Sequence, residues 1–161
     1  MPKYRRTLIP GGTYFFTAVT YRQYPVFADH VAADLLTECF ALVKAVYPLN
    51  IDAMVILPDH VHCIWTLPDD DSDYSRRWKE VKTRFTRAYA GATANPPASS
   101  IRRRRERGIW QRRFWEDLMM DEEDFIKHCD YIQYNPVKHG VAGRPADWRY
   151  STFGDFVAEG L

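Results

Sequence analysis

The pattern of hydrophobic and polar positions predicts four strands and three long helices. Runs rich in β-branched and aromatic residues predict strands over residues 13–20, 50–57, 60–67 and 110–119. Apolar positions three and four apart predict helices over residues 29–47 and 74–90. A third helix is predicted from the acidic turn at residue 121 to about Pro136, and a shorter one over residues 151–160. The long elements therefore follow the order strand, helix, strand, strand, helix, strand, helix.

Two features of this pattern indicate how the strands are arranged. Only Pro58 and Asp59 separate the second strand from the third, so these two strands are predicted to form an antiparallel hairpin. Strand 13–20 carries bulky residues on both faces, which predicts a central strand covered on each side. With no internal repeat and 161 residues, the chain is predicted to form a single domain spanning 1–161.

Composition narrows the class of protein. Hydrophobic residues make up 46% of the chain and aromatic residues 15%, which is typical of a globular protein. No apolar run approaches the roughly 20 residues that span a bilayer, so no membrane segment is expected. The three cysteines, at positions 39, 63 and 129, have no disulfide or zinc-finger spacing. These observations favour a reduced, cytoplasmic setting.

The charge is distributed unevenly. The formal net charge is only +1, but residues 76–113 contain thirteen Lys and Arg against two acids, Glu80 and Glu106. Such a basic block predicts a nucleic-acid partner. The alternative is a solvated helix face followed by a loop.

The sharpest chemical signal is the pair His60 and His62. Alternate residues of a strand point to the same face, so the two imidazoles are predicted to project together while Val61 faces the core. Two imidazoles on one face could hold a divalent metal, although a histidine pair is also compatible with a structural role. A catalytic metal usually has three protein ligands and an open position.

The last long helix offers the missing groups. Tyr131 and Asn135 are four residues apart and His128 is three before the tyrosine, so the three share one helix face. The amide oxygen of Asn135 is a reasonable third ligand for a hard cation. On spacing alone, the favoured interpretation of Tyr131 is a core aromatic residue whose hydroxyl is hydrogen-bonded.

Motifs along most of the chain resemble one family. The two main motifs are LPDHVH at residues 57–62 and YIQYNPVKHG at residues 131–140. Shorter supporting motifs are YRR at 4–6, GGTYFFT at 11–17, CIWTLP at 63–68, RWKEVK at 77–82, IWQRRFW at 109–115 and WRYSTF at 148–153. In this order they resemble the one-tyrosine HUH transposases of the insertion-sequence type. The similarity is greatest to their domesticated branch, the REP-associated tyrosine transposases.

The resemblance implies an α+β fold, with helices packed on an antiparallel sheet of the ferredoxin-like or RRM-like HUH nuclease type. It implies a metal-dependent endonuclease and strand transferase that cuts and rejoins single-stranded DNA beside imperfect hairpins. Tyr131 would be the nucleophile that forms a 5′-phosphotyrosine, and His60, His62 and Asn135 would hold Mg2+ or Mn2+. The one-tyrosine transposases often have glutamine four residues after the tyrosine, whereas asparagine is typical of the REP-associated branch.

Other residues receive more general predictions. His128 is a candidate proton relay to Tyr131. The basic block and nearby aromatic residues are predicted to bind DNA through phosphate contacts and base stacking. The predicted DNA-binding residues are Tyr4, Arg5, Arg6, Lys79, Lys82, Arg84, Arg87, Arg102, Arg103, Arg104, Arg105, Trp110, Arg112, Arg113 and Trp115. The resemblance favours a monomer or weak homodimer.

Two rival functions are compatible with part of this pattern. A barrel-type metal hydrolase also places His-x-His on a strand, but that fold needs about 250 residues. A non-catalytic nucleic-acid-binding module derived from a transposase fits the size. Such a binder, however, would have no need for the histidine pair together with Tyr131 and Asn135.

Overall fold

The computed structural model describes residues 8–92 and 109–152 and contains one four-stranded sheet with three helices. The elements, in chain order, are β1 (Thr13–Val19), α1 (His30–Val46), β2 (Asn50–Leu57), β3 (His60–Thr66), α2 (Tyr74–Ala92), β4 (Trp115–Leu118) and α3 (Glu122–Lys138). The strand order is β2-β3-β1-β4 and every neighbouring pair is antiparallel. This βαββαβ arrangement with an added α3 is the predicted ferredoxin-like α+β fold.

Alternation along the strands gives the sheet two different faces. Tyr14, Phe16 and Trp65 lie on one face and are fully buried against α1 and α2. The opposite face carries Ile64 and packs against Ile132 of α3. Because β1 contributes to both layers, it is the central, doubly covered strand that the sequence predicts. We call the face covered by α3 the site face, since His60 and His62 lie on it.

The predicted fourth strand, over residues 110–119, is too long. Only Trp115–Leu118 pairs regularly with β1, and Trp110 forms an isolated bridge with Thr20. Tertiary packing is the cause. Trp110 is 1% exposed and contacts the rings of Phe27 and Phe85 in the core between the sheet and α2, instead of continuing the pairing of β4 with β1.

Helix α3 also differs from the prediction, because it continues through Pro136 to Lys138. A proline removes one backbone donor, but the next turn still closes through the bond from the His139 amide to the Asn135 carbonyl, at 3.0 Å. This extra turn carries Lys138 and His139 towards the site face.

The outer edge of β2 is covered by the C-terminal segment. The amide of Ile56 donates to the carbonyl of Tyr150 at 2.8 Å, and that of Thr152 donates to Met54 at 2.9 Å. Ser151 thus forms a bridge with Val55 where a helix had been predicted to start; residues 153–160 of that predicted helix lie outside the described residues. Among the described helices, none is long and apolar enough to cross a membrane.

Candidate active site

The two histidines of β3 project side by side from the site face, as their spacing predicts. Their ring centroids are 4.7 Å apart, and Val61 between them is fully buried on the other face. The side chain of His60 is 13% exposed and His62 as a residue is 5% exposed. The pair is therefore held within the fold, at the start of a central strand.

Each imidazole has a hydrogen-bond partner at Nδ1. The His60 Nδ1 lies 2.6 Å from a carboxylate oxygen of Asp59, and the His62 Nδ1 lies 2.8 Å from the hydroxyl of Thr17. A carboxylate only accepts, so the proton of His60 sits on Nδ1 and the lone pair on Nε2. This arrangement orients the imidazole in the way that carboxylate–histidine–metal groups do.

The electrostatic environment keeps His62 neutral. Burial, followed by the neighbouring His60, His139 and Lys138, lowers the pKa of His62 to about 3. Its Nε2 is buried and has no hydrogen-bond partner within the described part of the chain. A neutral imidazole with a free lone pair is the form that binds a metal.

One face of α3 approaches the histidines at both ends of the pair. Tyr131, Asn135 and His139 follow one another at intervals of four residues, so they lie along one stripe of the helix. The Tyr131 ring is 5.2 Å from that of His62, and the His139 ring is 5.0 Å from that of His60. Asn135 lies midway along this stripe, between the residues that contact the two imidazoles.

The side chain of Asn135 is fully buried and incompletely bonded. Its Nδ2 donates weakly to the carbonyl of Tyr131, at 3.5 Å, and its Oδ1 has no hydrogen-bond partner in the described residues. A buried carbonyl oxygen without a donor is destabilising unless something else binds it. A cation would satisfy this oxygen.

Tyr131 is partly accessible from solvent. It is 39% exposed, and its ring packs edge-on against His62 and Phe15. It lines an open cavity of about 330 Å³ together with Phe15, Thr17, His62, Lys127 and His128. A phosphate could therefore reach the phenol without rearrangement of the core.

The donor groups fit a hard divalent cation. Within residues 8–92 and 109–152, no group of three or more His, Cys, Asp or Glu side chains is placed to hold a metal. A third protein ligand would therefore be the amide of Asn135 rather than a carboxylate. The unpartnered His62 Nε2 and Asn135 Oδ1 are donors of the kind that such an ion needs, and water or phosphate oxygens would complete the coordination shell.

Comparison with known proteins places this arrangement in a family. No family model matches the chain. The REP-associated tyrosine transposase of Escherichia coli strain K12 is 42% identical over 161 residues, which cover 100% of this chain and 88% of that protein. The chain belongs to the REP-associated tyrosine transposases. A Haemophilus influenzae relative is 40% identical over 156 residues, 95% of this chain and 86% of its own length.

A solved structure supports the same assignment. It is a REP-associated tyrosine transposase bound to a REP hairpin, and it is 41% identical to this chain. The two structures superpose with a TM-score of 0.84, over 100% of this chain and 88% of that one. The α+β fold of this REP-associated tyrosine transposase is thereby confirmed.

His128 lies beside the site but is bonded elsewhere. Its Nδ1 is 2.8 Å from the carbonyl oxygen of Asp124, and its Nε2 is 3.5 Å from a carboxylate oxygen of Asp117. Its ring packs against that of Phe15, with the centroids 4.8 Å apart, but no hydrogen bond joins it to Tyr131 in the described structure. The relay role stays a prediction, and it would require the imidazole to turn.

The predicted DNA-binding residues divide into three groups. Tyr4, Arg5, Arg6 and Arg102 to Arg105 lie outside the described residues. Two are buried, which is a correction: Trp110 is a core residue, and Lys82 is 8% exposed with its Nζ 3.2 Å from the carbonyl of Gln111. The third group remains accessible and comprises Lys79, Arg84, Arg87, Arg112, Arg113 and Trp115.

The accessible residues lie on different sides of the sheet. Helix α2, with Lys79, Arg84 and Arg87, covers the face opposite the histidines. Trp115 pairs with Thr17, which pairs with His62, so the three residues form one row on the site face. Two strand spacings put the backbone at Trp115 about 10 Å from that at His62.

Several contacting residues were not assigned from the sequence. Thr17 and Asp59 orient the imidazoles, and Lys138 and His139 approach from the extra turn of α3. The position of His139, four residues after Asn135, predicts that it shares the helix face of Asn135. That prediction requires the helix to continue past Pro136, where it was expected to end. Thr17 could not be found this way, because only strand pairing brings it to His62.

Proposed function

We propose that this transposase cleaves and rejoins single-stranded DNA beside REP-type hairpins, with Tyr131 as the nucleophile. The observation that carries the proposal is the placement of a solvent-accessible phenol 5.2 Å, ring to ring, from a buried and neutral imidazole. The orphaned Asn135 Oδ1 supports a metal held by His60, His62 and Asn135. A relative bound to a REP hairpin supports the choice of substrate.

The chemistry assigns a distinct task to each side chain. Tyr131 attacks as its phenolic proton departs. Its oxygen bonds to phosphorus, the bond to the 3′-oxygen breaks, and a 5′-phosphotyrosine and a 3′-hydroxyl result. The covalent intermediate retains the phosphodiester energy, so the reverse attack by a 3′-hydroxyl rejoins DNA without ATP. Mg2+ or Mn2+, when bound, would polarise the phosphate and offset its developing charge.

Substrate would be bound on two sides of the sheet. We assign the single strand next to the cleavage point to the site face, where the Trp115 side chain is 71% exposed and can stack on a base. Arg112 and Arg113 are exposed just before β4, at the edge that separates the two faces. These arginines and Arg87 of α2 would bind phosphates of the DNA backbone, which would then run around that edge of the sheet.

The test is metal-dependent formation of a covalent protein–DNA adduct. Wild type, Tyr131→Phe and Tyr134→Phe are incubated with labelled single-stranded hairpins, with Mn2+ or with a chelator, and resolved on a denaturing gel. Tyr134 is a matched control, since it lies on the same helix and is 61% exposed but has no ring contact with the histidines. Wild type and Tyr134→Phe should form the adduct only with metal, while Tyr131→Phe should bind DNA without forming it.

Two outcomes would contradict the proposal. An adduct formed by Tyr131→Phe, or by wild type in the chelator, would show that the phenol or the metal has been assigned wrongly. Binding of hairpins without any adduct, across a panel of sequences and metals, would instead favour the non-catalytic DNA-binding module.

A further inference from the structure

Lys138 ends α3 with its ammonium group over the nucleophile. It lies seven residues after Tyr131, and its Nζ is 5.1 Å from the centroid of the Tyr131 ring. Two helical turns separate the residues, so both belong to the helix face that meets His60 and His62. A cation over the face of a phenol is attracted to the ring.

The ammonium group has no carboxylate partner in the described structure. Two other exposed cations close to helical segments do have one: Lys127 pairs with Glu123 at 3.2 Å, and Arg144 pairs with Asp147 at 3.1 Å. Lys138 instead lies near the imidazoles of the site, which supply no negative charge to balance its ammonium group.

An anion at this place would balance the charge of the Lys138 ammonium group. The site contains three imidazoles, one ammonium group and the donors for a cation, while the nearby carboxylate of Asp59 is already bonded to His60. A phosphate diester approaching Tyr131 would supply the missing negative charge. Charge-assisted hydrogen bonds from lysine to phosphate oxygens are among the stronger polar contacts in proteins.

We propose that Lys138 is a catalytic residue that binds a non-bridging oxygen of the scissile phosphate and keeps that phosphate in line with Tyr131. This inference rests on the proposed function. During attack the new bond joins the tyrosine oxygen to phosphorus, and the bond from phosphorus to the 3′-oxygen breaks. The phenol proton passes to solvent and the 3′-oxygen takes one from solvent, while Lys138 keeps its proton and donates hydrogen bonds throughout.

The structural alternative is that Lys138 only complements the negative end of the α3 dipole. Lys44 provides a matched control, since it is exposed in the last turn of α1, a helix on the opposite face of the sheet. A dipole role predicts that Lys138→Met and Lys44→Met both lower the melting temperature slightly and leave the rate of adduct formation unchanged.

The first experiment measures single-turnover adduct formation with excess protein and a labelled hairpin. Lys138→Met should slow the reaction about tenfold to a hundredfold. Lys138→Arg should recover much of the rate, because it restores a cationic donor, and Lys44→Met should match wild type. A Lys138→Met rate equal to that of wild type, or a loss explained entirely by unfolding at the assay temperature, would overturn the proposal.

A second experiment does not depend on cleavage. Lysines are labelled by reductive methylation with ¹³C, inorganic phosphate is titrated, and the Lys138 signal is assigned by its loss in Lys138→Arg. The Lys138 resonance should shift saturably and that of Lys44 should not, whereas an unmoved Lys138 signal would overturn phosphate binding at this residue. If wild type forms no adduct, the proposed function fails, and this titration still decides the inference.

Discussion

The hydrogen bond between Thr17 and His62 offers a sharp test of the candidate metal site. Thr17→Val keeps the shape and the β-branching of the side chain and removes only the hydroxyl, which lies 2.8 Å from the His62 Nδ1. His62 is 5% exposed, so water cannot easily replace the lost partner. The ring would lose the hydrogen bond that fixes its orientation.

The size of the effect follows from this geometry. Loss of an outer hydrogen-bond partner of a metal-binding histidine typically weakens metal affinity by about 10–100-fold. At about 1.4 kcal/mol per factor of ten, this corresponds to about 1.4–2.8 kcal/mol. An unsatisfied buried group costs a similar amount in folding free energy, about 1–3 kcal/mol. Metal affinity should therefore be measured well below the melting temperature of the variant.

The assay is titration of Mn2+ by electron paramagnetic resonance, with adduct formation measured on the same samples. Thr13→Val is the control, because Thr13 lies on the same face of β1 and its hydroxyl is bonded to Thr66 at 2.9 Å, away from the histidines. Thr17→Val should bind Mn2+ about 10–100-fold more weakly than Thr13→Val. Equal affinities for the two folded variants would refute the argument that Thr17 orients His62.

Three further predictions concern DNA contact, acid stability and a buried amide. Trp115→Ala should weaken single-strand binding by about 1–3 kcal/mol while leaving the melting temperature unchanged, because the indole is 71% exposed. Trp110→Ala should instead destabilise folding by about 3–5 kcal/mol, and a reversal of these two effects in binding and calorimetric assays would contradict the assigned faces. Hydrogen bonds from Arg77 lower the pKa of Asp71, so the stability from this pair is present above the unfolded pKa of the carboxyl group and is lost as pH falls through its lower folded pKa. Asp71→Asn should therefore lower the melting temperature at neutral pH and flatten its decline in acid; a parallel acid profile would count against the pair. Gln133→Leu should maintain or raise the melting temperature, since neither polar atom of this buried amide is bonded within the described structure, and a clear fall would show that the amide has a stabilising partner.

The elements themselves were largely predictable because their signals are local. The hairpin of β2 and β3 follows from two apolar runs separated by Pro58 and Asp59, and it occurs as predicted. The projection of His60 and His62 from one face follows from strand periodicity alone. The pairing of Tyr131 and Asn135 on one face of a helix follows equally from helical periodicity.

Where local signals competed with packing, the predictions were wrong. Pro136 is a helix-ending signal, but only one hydrogen bond is lost there and α3 continues for two more residues. Trp110 was predicted to belong to a strand and to stack on unpaired bases, but its ring packs against the rings of Phe27 and Phe85 in the core. Neither outcome can be read from spacing, because each depends on what lies across the fold.

The sequence by itself therefore determined the order of the elements and the residue types capable of metal and phosphate chemistry, while the α+β fold was implied by the family that its motifs resemble. These properties depend on periodicity and composition over a few turns of chain. Only the tertiary structure decided that Thr17 bonds His62, that Lys138 lies over Tyr131, and that the basic helix α2 covers the opposite face. Such contacts join residues distant in sequence, and their geometry is set by strand pairing and by the packing of helices on the sheet.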